Sequence, residues 1–162
     1  MKNQNSNSLI VLDLDHTLIY SSNFELENSK ELLKYSEYII IYERPFAREL
    51  VKKCRENADI IVFTTAVRSY AQKVCEELTI DYRKLFSRQD CRIENDFFVK
   101  YVPDNFFTDY QQIIIIDDSP EVWDKRAHKK CTFLVPEVYS GNPEDNGLQK
   151  IIIKLNENYF RK

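Results

Sequence analysis

Several features that would indicate a membrane, secreted or nucleic-acid-binding protein are absent from this sequence. No apolar run approaches the roughly 20 residues that a membrane-spanning helix needs. The polar start, residues 1–8, has neither the apolar core of a signal peptide nor the arginines of a mitochondrial presequence. We therefore interpret residues 1–8 as a flexible lead-in and expect no membrane association.

A surplus of basic residues is also missing. The net charge of the 162-residue chain is -3, so there is no electrostatic reason to expect direct binding to nucleic acid or to anionic membranes. Internal repeats, low-complexity tracts and a clear linker are absent as well. The length suits one hydrophobic core, and we predict a single domain over residues 9–162.

Paired cysteines are lacking too. None of the four cysteines (Cys54, Cys75, Cys91 and Cys131) forms a C-x-x-C pair, which disfavours a zinc site or a redox pair. Reduced thiols are the ordinary state inside cells. The expected location is therefore intracellular, either nuclear or cytoplasmic.

What is present is an alternation of apolar runs and amphipathic segments. Strands buried on both faces read as near-continuous apolar runs, whereas helices repeat apolar residues at helical spacing. We predict strands over Leu9–Leu14, Tyr38–Tyr42, Ile60–Phe63, Gln112–Ile116 and Cys131–Val135, with helices over Pro45–Asn57, Val67–Leu78 and Leu148–Tyr159. Short strands and turns fill Leu85–Val99, and a short helix follows Ser119-Pro120. This order predicts an α/β fold, a Rossmann-like parallel sheet with helices on both faces.

Three of these strands end in polar residues: Asp13 and Asp15, Thr64 and Thr65, and Asp117 and Asp118. Ligands of an open parallel sheet bind outside the carboxyl ends of its strands. Carboxylates crowded at one edge repel each other unless a cation neutralises them, and oxygen ligands suit Mg²⁺. The sequence therefore predicts a magnesium site. Within the first pair, one acid can attack while the other transfers a proton.

Each of these residues also has a simpler explanation. Aspartate is common in turns, and acids are favoured near helix starts, which would account for Asp117 and Asp118 before Ser119. Threonine suits strands, and Thr65 could share or take the role of Thr64. Lys100 alone would be an ordinary surface lysine.

The combination nevertheless resembles a known family. Leu12-Asp13-Leu14-Asp15-His16-Thr17-Leu18 looks like the first motif of the haloacid dehalogenase superfamily, D-x-D-x-T after an apolar strand. Thr64 after Phe63 is similar to its second motif, Lys100 to the third and Asp117-Asp118 to the fourth, in the same order.

Further segments resemble one branch, the phosphatases of the RNA polymerase II C-terminal domain. The matching segments are Arg44-Pro45, Phe63-Thr64-Thr65-Ala66 with Tyr70, Leu85-Phe86 with Arg88 and Cys91, Phe98-Val99-Lys100 and Ile115-Ile116-Asp117-Asp118-Ser119-Pro120. The resemblance covers about residues 9–135. That branch includes small phosphatases, which commonly have asparagine at the position of Asp118. The aspartate here departs from that pattern.

The resemblance implies a mechanism with named roles. Asp13 would form an aspartyl-phosphate, with Asp15 as general acid and base. Thr64 and Lys100 would bind the phosphoryl oxygens. Asp13, the Asp15 carbonyl and Asp118 would hold Mg²⁺, and Asp117 would orient Lys100 or a water on the metal. Thr17, Thr65 and Arg88 would contact the substrate.

The spacing of the motifs leaves room for only a small strand-and-turn insertion and no large cap domain. The site should therefore be open to a phosphorylated protein or peptide, and the resemblance makes the RNA polymerase II C-terminal domain one candidate. We predict a serine/threonine protein phosphatase. By similarity, Phe24, Val67 and Tyr70 could line an apolar pocket, although Val67 and Tyr70 fit a helix core equally well. The alternatives are a phosphatase for nucleic-acid ends or small phosphoesters, and a non-catalytic scaffold with the same fold.

Overall fold

A computed structural model of the protein describes residues 7–160. Its ten strands are β1 Ser8–Leu12, β2 Ile19–Ser22, β3 Lys30–Ser36, β4 Ile39–Glu43, β5 Asp59–Phe63, β6 Lys84–Phe86, β7 Arg92–Glu94, β8 Phe97–Val99, β9 Gln112–Ile116 and β10 Thr132–Leu134. Its five α-helices are α1 Ala47–Asn57, α2 Arg68–Glu77, α3 Asp104–Asp109, α4 Lys125–Lys130 and α5 Gly147–Asn158. Two 3₁₀ turns span Arg88–Asp90 and Pro120–Val122.

The centre of the molecule is a parallel sheet with strand order β10-β9-β1-β5-β6. β1 is the middle strand, with Leu12 opposite Ile116 of β9 on one side and Val62 of β5 on the other. Neighbouring parallel strands are joined by crossover connections, and these connections place helices against the sheet, as predicted for a doubly wound α/β fold.

Alternate residues of the central strands face two separate cores. Ile10 and Leu12 join a core that includes buried residues of α1, α2 and α5, whereas Leu9 and Val11 join a second core with Trp123 and Ala127 on the opposite side. Strands covered on both faces have no polar side, which explains their continuous apolar runs. The predicted α/β architecture with helices on both faces is confirmed.

The segment before α1 differs from the prediction. β2, β4 and β3 form a three-stranded antiparallel sheet, of which only β4 was expected. β3 is mostly half-buried or exposed and carries register shifts, so its sequence lacks the apolar run that identifies a buried strand. This small sheet packs Leu32 and Leu33 against the core.

The insertion between Thr64 and Lys100 is small, as expected. It contains the 3₁₀ turn at Arg88–Asp90 and the two-stranded β7–β8 hairpin. No large cap domain is present within residues 7–160. None of the helices in that same range is both long and apolar enough to cross a membrane. The expected lead-in lies mostly outside the described residues, and Ser8, at its predicted end, already belongs to β1.

Candidate active site

The carboxyl ends of three adjacent strands bring the predicted residues together. Asp13 follows β1, Thr64 follows β5 and Asp117 follows β9, and these strands are neighbours in the sheet. The Asp13 amide donates to the Ile116 carbonyl at 3.1 Å, so the loop after β1 starts against the end of β9. The convergence expected from the strand ends is therefore present.

Lys100 lies at the centre of this cluster although it follows a hairpin at the surface. Its side chain is buried, and Nζ donates to Oδ1 of Asp13 at 2.8 Å and to Oδ2 of Asp117 at 2.7 Å. Its backbone is held as well, since its amide donates to the Val122 carbonyl at 2.8 Å. Lys100 is thus a fixed charge in the site and not a solvated surface lysine.

Asp117 orients Lys100 and has little capacity left for other ligands. Besides Lys100, its Oδ2 accepts from Nε1 of Trp123 at 2.9 Å, and its Oδ1 accepts from the Ser119 amide at 2.9 Å. Of the two roles expected for Asp117, these contacts match the positioning of Lys100. The part played by Trp123 was not predicted, because a single tryptophan in a sequence fits an ordinary core position.

The Thr17 hydroxyl connects two acids of the site. It lies 2.8 Å from Oδ2 of Asp13 and 2.9 Å from Oδ1 of Asp118, and it accepts from the Asp118 amide at 3.0 Å. Thr17 is fully buried, so its hydroxyl is not available to a substrate. The predicted substrate contact is therefore wrong, and Thr17 instead positions the acids that follow β1 and β9.

Asp15 lies apart from the other acids, next to a tyrosine. Tyr70 donates its hydroxyl to Oδ1 of Asp15 at 2.7 Å. The Ser21 hydroxyl lies 2.6 Å from the same tyrosine oxygen and can donate to it. Tyr70 therefore contacts a predicted catalytic acid directly, while its ring is buried in the core beside Tyr35.

The other predicted phosphate and peptide contacts surround this edge. Thr64 is buried at the end of β5, and its hydroxyl accepts from the Ala66 amide at 3.1 Å. The half-buried Thr65 accepts at its carbonyl from Nε of Arg88 at 2.8 Å. The exposed Arg88 guanidinium lies 5.3 Å from the centre of the Phe98 ring.

Phe24 and Val67 are both exposed, with 61% and 45% of their surface accessible. The placement of Val67 in a helix core is wrong, because Val67 is the N-cap residue that precedes α2. Exposed apolar side chains are compatible with peptide binding, and the pocket that they would form with Tyr70 stays a prediction.

Burial dominates the electrostatics of the acids. Burial raises the pKa of Asp13, which Lys100 partly offsets, and burial raises the pKa of Asp15, which the Tyr70 hydrogen bond partly offsets. Burial and the neighbouring Asp13 raise the pKa of Asp117. Burial alone would lower the pKa of Lys100, but the charges of Asp13 and Asp117 outweigh it and raise that pKa above its ordinary value. The two carboxylates therefore favour the charged form of Lys100.

Oxygen atoms of three acids could hold a metal ion. One carboxylate oxygen each from Asp13, Asp117 and Asp118 lies within 4.8 Å of the others. Oxygen donors of this kind suit a hard divalent cation such as Mg²⁺. Only two of these three carboxylates contact the single ammonium of Lys100, so an added cation would relieve the repulsion among the three. The donor set therefore fits the expected metal, with Asp13 and Asp118 retaining more free capacity than Asp117.

Comparison with known proteins identifies a phosphatase family. Residues 8–160 match the family described as NLI interacting factor-like phosphatase. A probable C-terminal domain small phosphatase of Dictyostelium discoideum is 31% identical over 120 residues, covering 68% of this chain and 38% of that protein. The CTD small phosphatase-like protein 1 of Caenorhabditis elegans is 29% identical over 127 residues, covering 72% of this chain and 25% of that protein.

A solved structure has the same fold. Fission yeast RNA polymerase II CTD phosphatase Fcp1, in a variant bound to beryllium fluoride, superposes with a TM-score of 0.57 at 19% identity, covering 80% of this chain and 41% of that one. The chain thus spans well under half the length of these relatives. Because the family match extends over almost all of the described residues, the chain belongs to the NLI interacting factor-like phosphatase family.

Proposed function

We propose that the protein is a magnesium-dependent serine/threonine phosphoprotein phosphatase that acts through an aspartyl-phosphate on Asp13. The observation that carries the proposal is the position of Lys100, whose ammonium contacts both Asp13 and Asp117 at the open carboxyl edge of the sheet. The family to which the chain belongs and the names of its relatives support the same class of reaction.

In the first half of the reaction, a carboxylate oxygen of Asp13 attacks phosphorus and the ester oxygen of the substrate leaves. Asp15 donates a proton to that oxygen. The pKa of Asp15 is raised by burial, so the protonated acid persists to higher pH than in an exposed aspartate. The fixed charge of Lys100 stabilises the negative charge on the phosphoryl oxygens as they pass through the transition state.

In the second half, Asp15 has become a base and removes a proton from water. That water attacks the phosphorus of the aspartyl-phosphate, which releases inorganic phosphate and restores Asp13. The Thr17 hydroxyl, held between Asp13 and Asp118, keeps the nucleophile in the same orientation during both halves.

A bound Mg²⁺ would neutralise charge on the phosphoryl group and on the clustered acids. Asp13, Asp118 and the backbone carbonyl of Asp15 would hold it, with Asp117 mainly occupied by Lys100, Trp123 and Ser119. The metal is part of the proposal because three of the acids offer oxygen atoms close together.

The proposed substrate is a phosphorylated protein segment. No large cap closes over the site within the described residues, so a loop or tail of a macromolecule can reach Asp13. The relatives named as phosphatases of the RNA polymerase II C-terminal domain make that tail a candidate substrate. An intracellular location remains a prediction.

The test measures hydrolysis of para-nitrophenyl phosphate with Mg²⁺, for the parent chain and for Asp13→Asn. We expect activity in the parent and none in a folded Asp13→Asn variant. Absence of activity in the parent, or activity that survives the substitution, would contradict the mechanism.

A second assay compares phosphoserine and phosphothreonine peptides with 5′- and 3′-phosphorylated oligonucleotides. Preference for peptides is expected because the chain has a net charge of -3. Preference for oligonucleotides would contradict the protein substrate and indicate that the protein acts on nucleic-acid ends.

A further inference from the structure

The side chain of Arg44, which lies between β4 and α1, is fully buried. All five N–H groups of its guanidinium have acceptors. Nε and one Nη2 hydrogen donate to the Asp145 carboxylate at 2.7 and 3.1 Å, and Nη2 also reaches the Glu137 carbonyl at 2.8 Å. Nη1 donates to the carbonyls of Thr17 at 3.1 Å and His16 at 3.3 Å. A buried guanidinium is tolerated when it is paired and fully hydrogen-bonded, as here.

These acceptors belong to two distant parts of the chain. His16 and Thr17 lie in the turn after the nucleophile, where His16 has a left-handed backbone with φ 63°. Glu137 and Asp145 lie in the irregular segment 135–146 between β10 and α5, which we call the strap. Arg44 thus joins the strap to the turn that carries Asp15 and Thr17.

The strap also contacts this turn without Arg44. The Tyr139 amide donates to the His16 carbonyl at 2.9 Å, and the Tyr139 carbonyl lies 2.9 Å from Nδ1 of His16. Since β10 is paired in parallel with β9, the strap leaves the sheet at the edge where Asp117 lies. The strap therefore supports the catalytic turn from the side of β10.

The glycines show how closely the strap and Arg44 are packed. The chain has only two glycines, one within the strap and one directly after it. A Cβ on Gly147 would lie 2.2 Å from Nη2 of Arg44. Gly141 has φ +93°, and a Cβ there would lie 2.4 Å from Cδ1 of Leu26. The positive φ of Gly141 favours glycine there, and a side chain at Gly147 would displace the buried guanidinium of Arg44.

We propose that Arg44, held by Asp145, is a positioning residue that fastens the strap to the turn after Asp13 and thereby fixes Thr17. Thr17 in turn holds Asp13 and Asp118 through its hydroxyl. The role depends on the proposed function, because it is a role in catalysis. It extends the determinants of nucleophile geometry to residues that act on Asp13 and Asp118 only through Thr17.

The test compares Arg44→Met, Arg44→Lys and Asp145→Asn in the full chain, with para-nitrophenyl phosphate and Mg²⁺. Small displacements of a catalytic group can lower the rate by about a hundredfold, so we expect kcat to fall about ten- to a hundredfold, with a much smaller change in KM. Leu155→Ala is the control, because Leu155 is a buried residue of α5 that takes no part in the hydrogen bonds of Arg44. It should lower the melting temperature and leave kcat near that of the parent.

Hydrogen exchange provides a readout that is independent of turnover. The amides of Thr17 and Leu18 donate to the Leu14 carbonyl within the catalytic turn. They should exchange faster in Arg44→Met than in Leu155→Ala when the two variants are compared at equal distance below their melting temperatures.

Two results would overturn the proposal: kcat of folded Arg44 and Asp145 variants equal to that of Leu155→Ala, or equal exchange of the turn amides. If the parent chain is inactive, the proposed function fails, and the exchange measurement still decides whether Arg44 orders the turn. If Arg44→Met does not fold, Asp145→Asn, which keeps the shape of the side chain, decides both readouts.

Discussion

The ammonium of Lys100 lies between two buried carboxylates, with Nζ 2.8 Å from Oδ1 of Asp13 and 2.7 Å from Oδ2 of Asp117. A cation that is held from two sides cannot turn away when substrate is absent. In the proposed reaction, the positive charge that would stabilise the transition state is thus in place before a phosphate arrives, which is the condition for electrostatic preorganisation.

Replacing Lys100 by methionine should impair both catalysis and stability. Loss of a preorganised charge should lower kcat about a hundredfold or more. It also leaves buried carboxylates without a partner, which should reduce the free energy of unfolding by about 3 kcal/mol without metal. Steady-state kinetics and chemical denaturation, with and without Mg²⁺, measure the two effects. Lys52→Met, at an exposed lysine on α1, is the control and should change neither.

Trp123→Phe should weaken the hold on Lys100 while keeping an aromatic ring in the core. The substitution removes the Nε1 donor to Asp117, a hydrogen bond to a charged group, and should destabilise the fold by about 1.5–3 kcal/mol. The kcat should fall less than in Lys100→Met, because Lys100 keeps both carboxylate contacts. A kcat as low as that of Lys100→Met would mean that the Trp123 hydrogen bond is required to hold Lys100 in place.

Asp15 should control the alkaline limb of the pH–rate profile. Its pKa is raised, chiefly by burial, and the Tyr70 hydroxyl lowers it in part. Catalysis that needs protonated Asp15 is present below this pKa and is lost as the pH rises through it. Tyr70→Phe removes the stabilisation of the ionised form, so the alkaline limb should move to higher pH. The profile of kcat on a phosphoserine peptide measures the shift, and Tyr82→Phe is the control. A shift to lower pH would contradict the assignment.

Asp15→Asn should distinguish substrates by their leaving groups. Nitrophenolate leaves without much help from an acid, whereas the alkoxide of serine needs a proton. The variant should therefore lose far more activity on phosphoserine peptides than on para-nitrophenyl phosphate. Equal losses on both substrates would argue against Asp15 as the general acid of the first step.

Magnesium should stabilise the folded chain through Asp13 and Asp118. A ligand present at about a hundred times its dissociation constant adds about 2.7 kcal/mol to the free energy of unfolding. Thermal melting with and without EDTA measures the effect, which Asp118→Asn should reduce. Thr17→Val should also reduce it, since the hydroxyl orients Asp118, whereas Thr17→Ser should retain it. If Mg²⁺ stabilises both Asp118→Asn and Thr17→Val as much as the parent, neither residue contributes to binding the metal.

The sequence was sufficient for the central sheet and for the acids at its edge. Apolar runs identify buried strands, and Asp13 and Asp117 stand directly after β1 and β9. The position of Lys100 could only be inferred from the family resemblance, because its own segment, β7 and β8, is short and largely exposed. The half-exposed strand β3 has no apolar run, which is why most of the small antiparallel sheet was not predicted.

The contacts behind the site could not be predicted from local pattern at all. Trp123 fits an ordinary core position, Arg44 belongs to a segment that resembles the family but was assigned no role, and Thr17 was expected to contact the substrate. Each acquires its role from a partner that no periodic pattern indicates, as in the contact of Trp123 with Asp117 across a turn or of Arg44 with Asp145 across 101 positions. Such pairings depend on tertiary packing, which periodicity does not encode.

The strap has a consequence for the stage of synthesis at which the candidate site can form. The contacts that define the site join residues 87 positions apart for Lys100 and Asp13, 101 for Thr17 and Asp118, and 123 for His16 and Tyr139. Non-local contacts of this kind form late, because the intervening chain must first be gathered. During synthesis on a ribosome, Asp13 would emerge well before Tyr139 and Asp145, so the turn that carries Asp15 and Thr17 would lack the contacts of the strap until those two residues have been synthesised and docked.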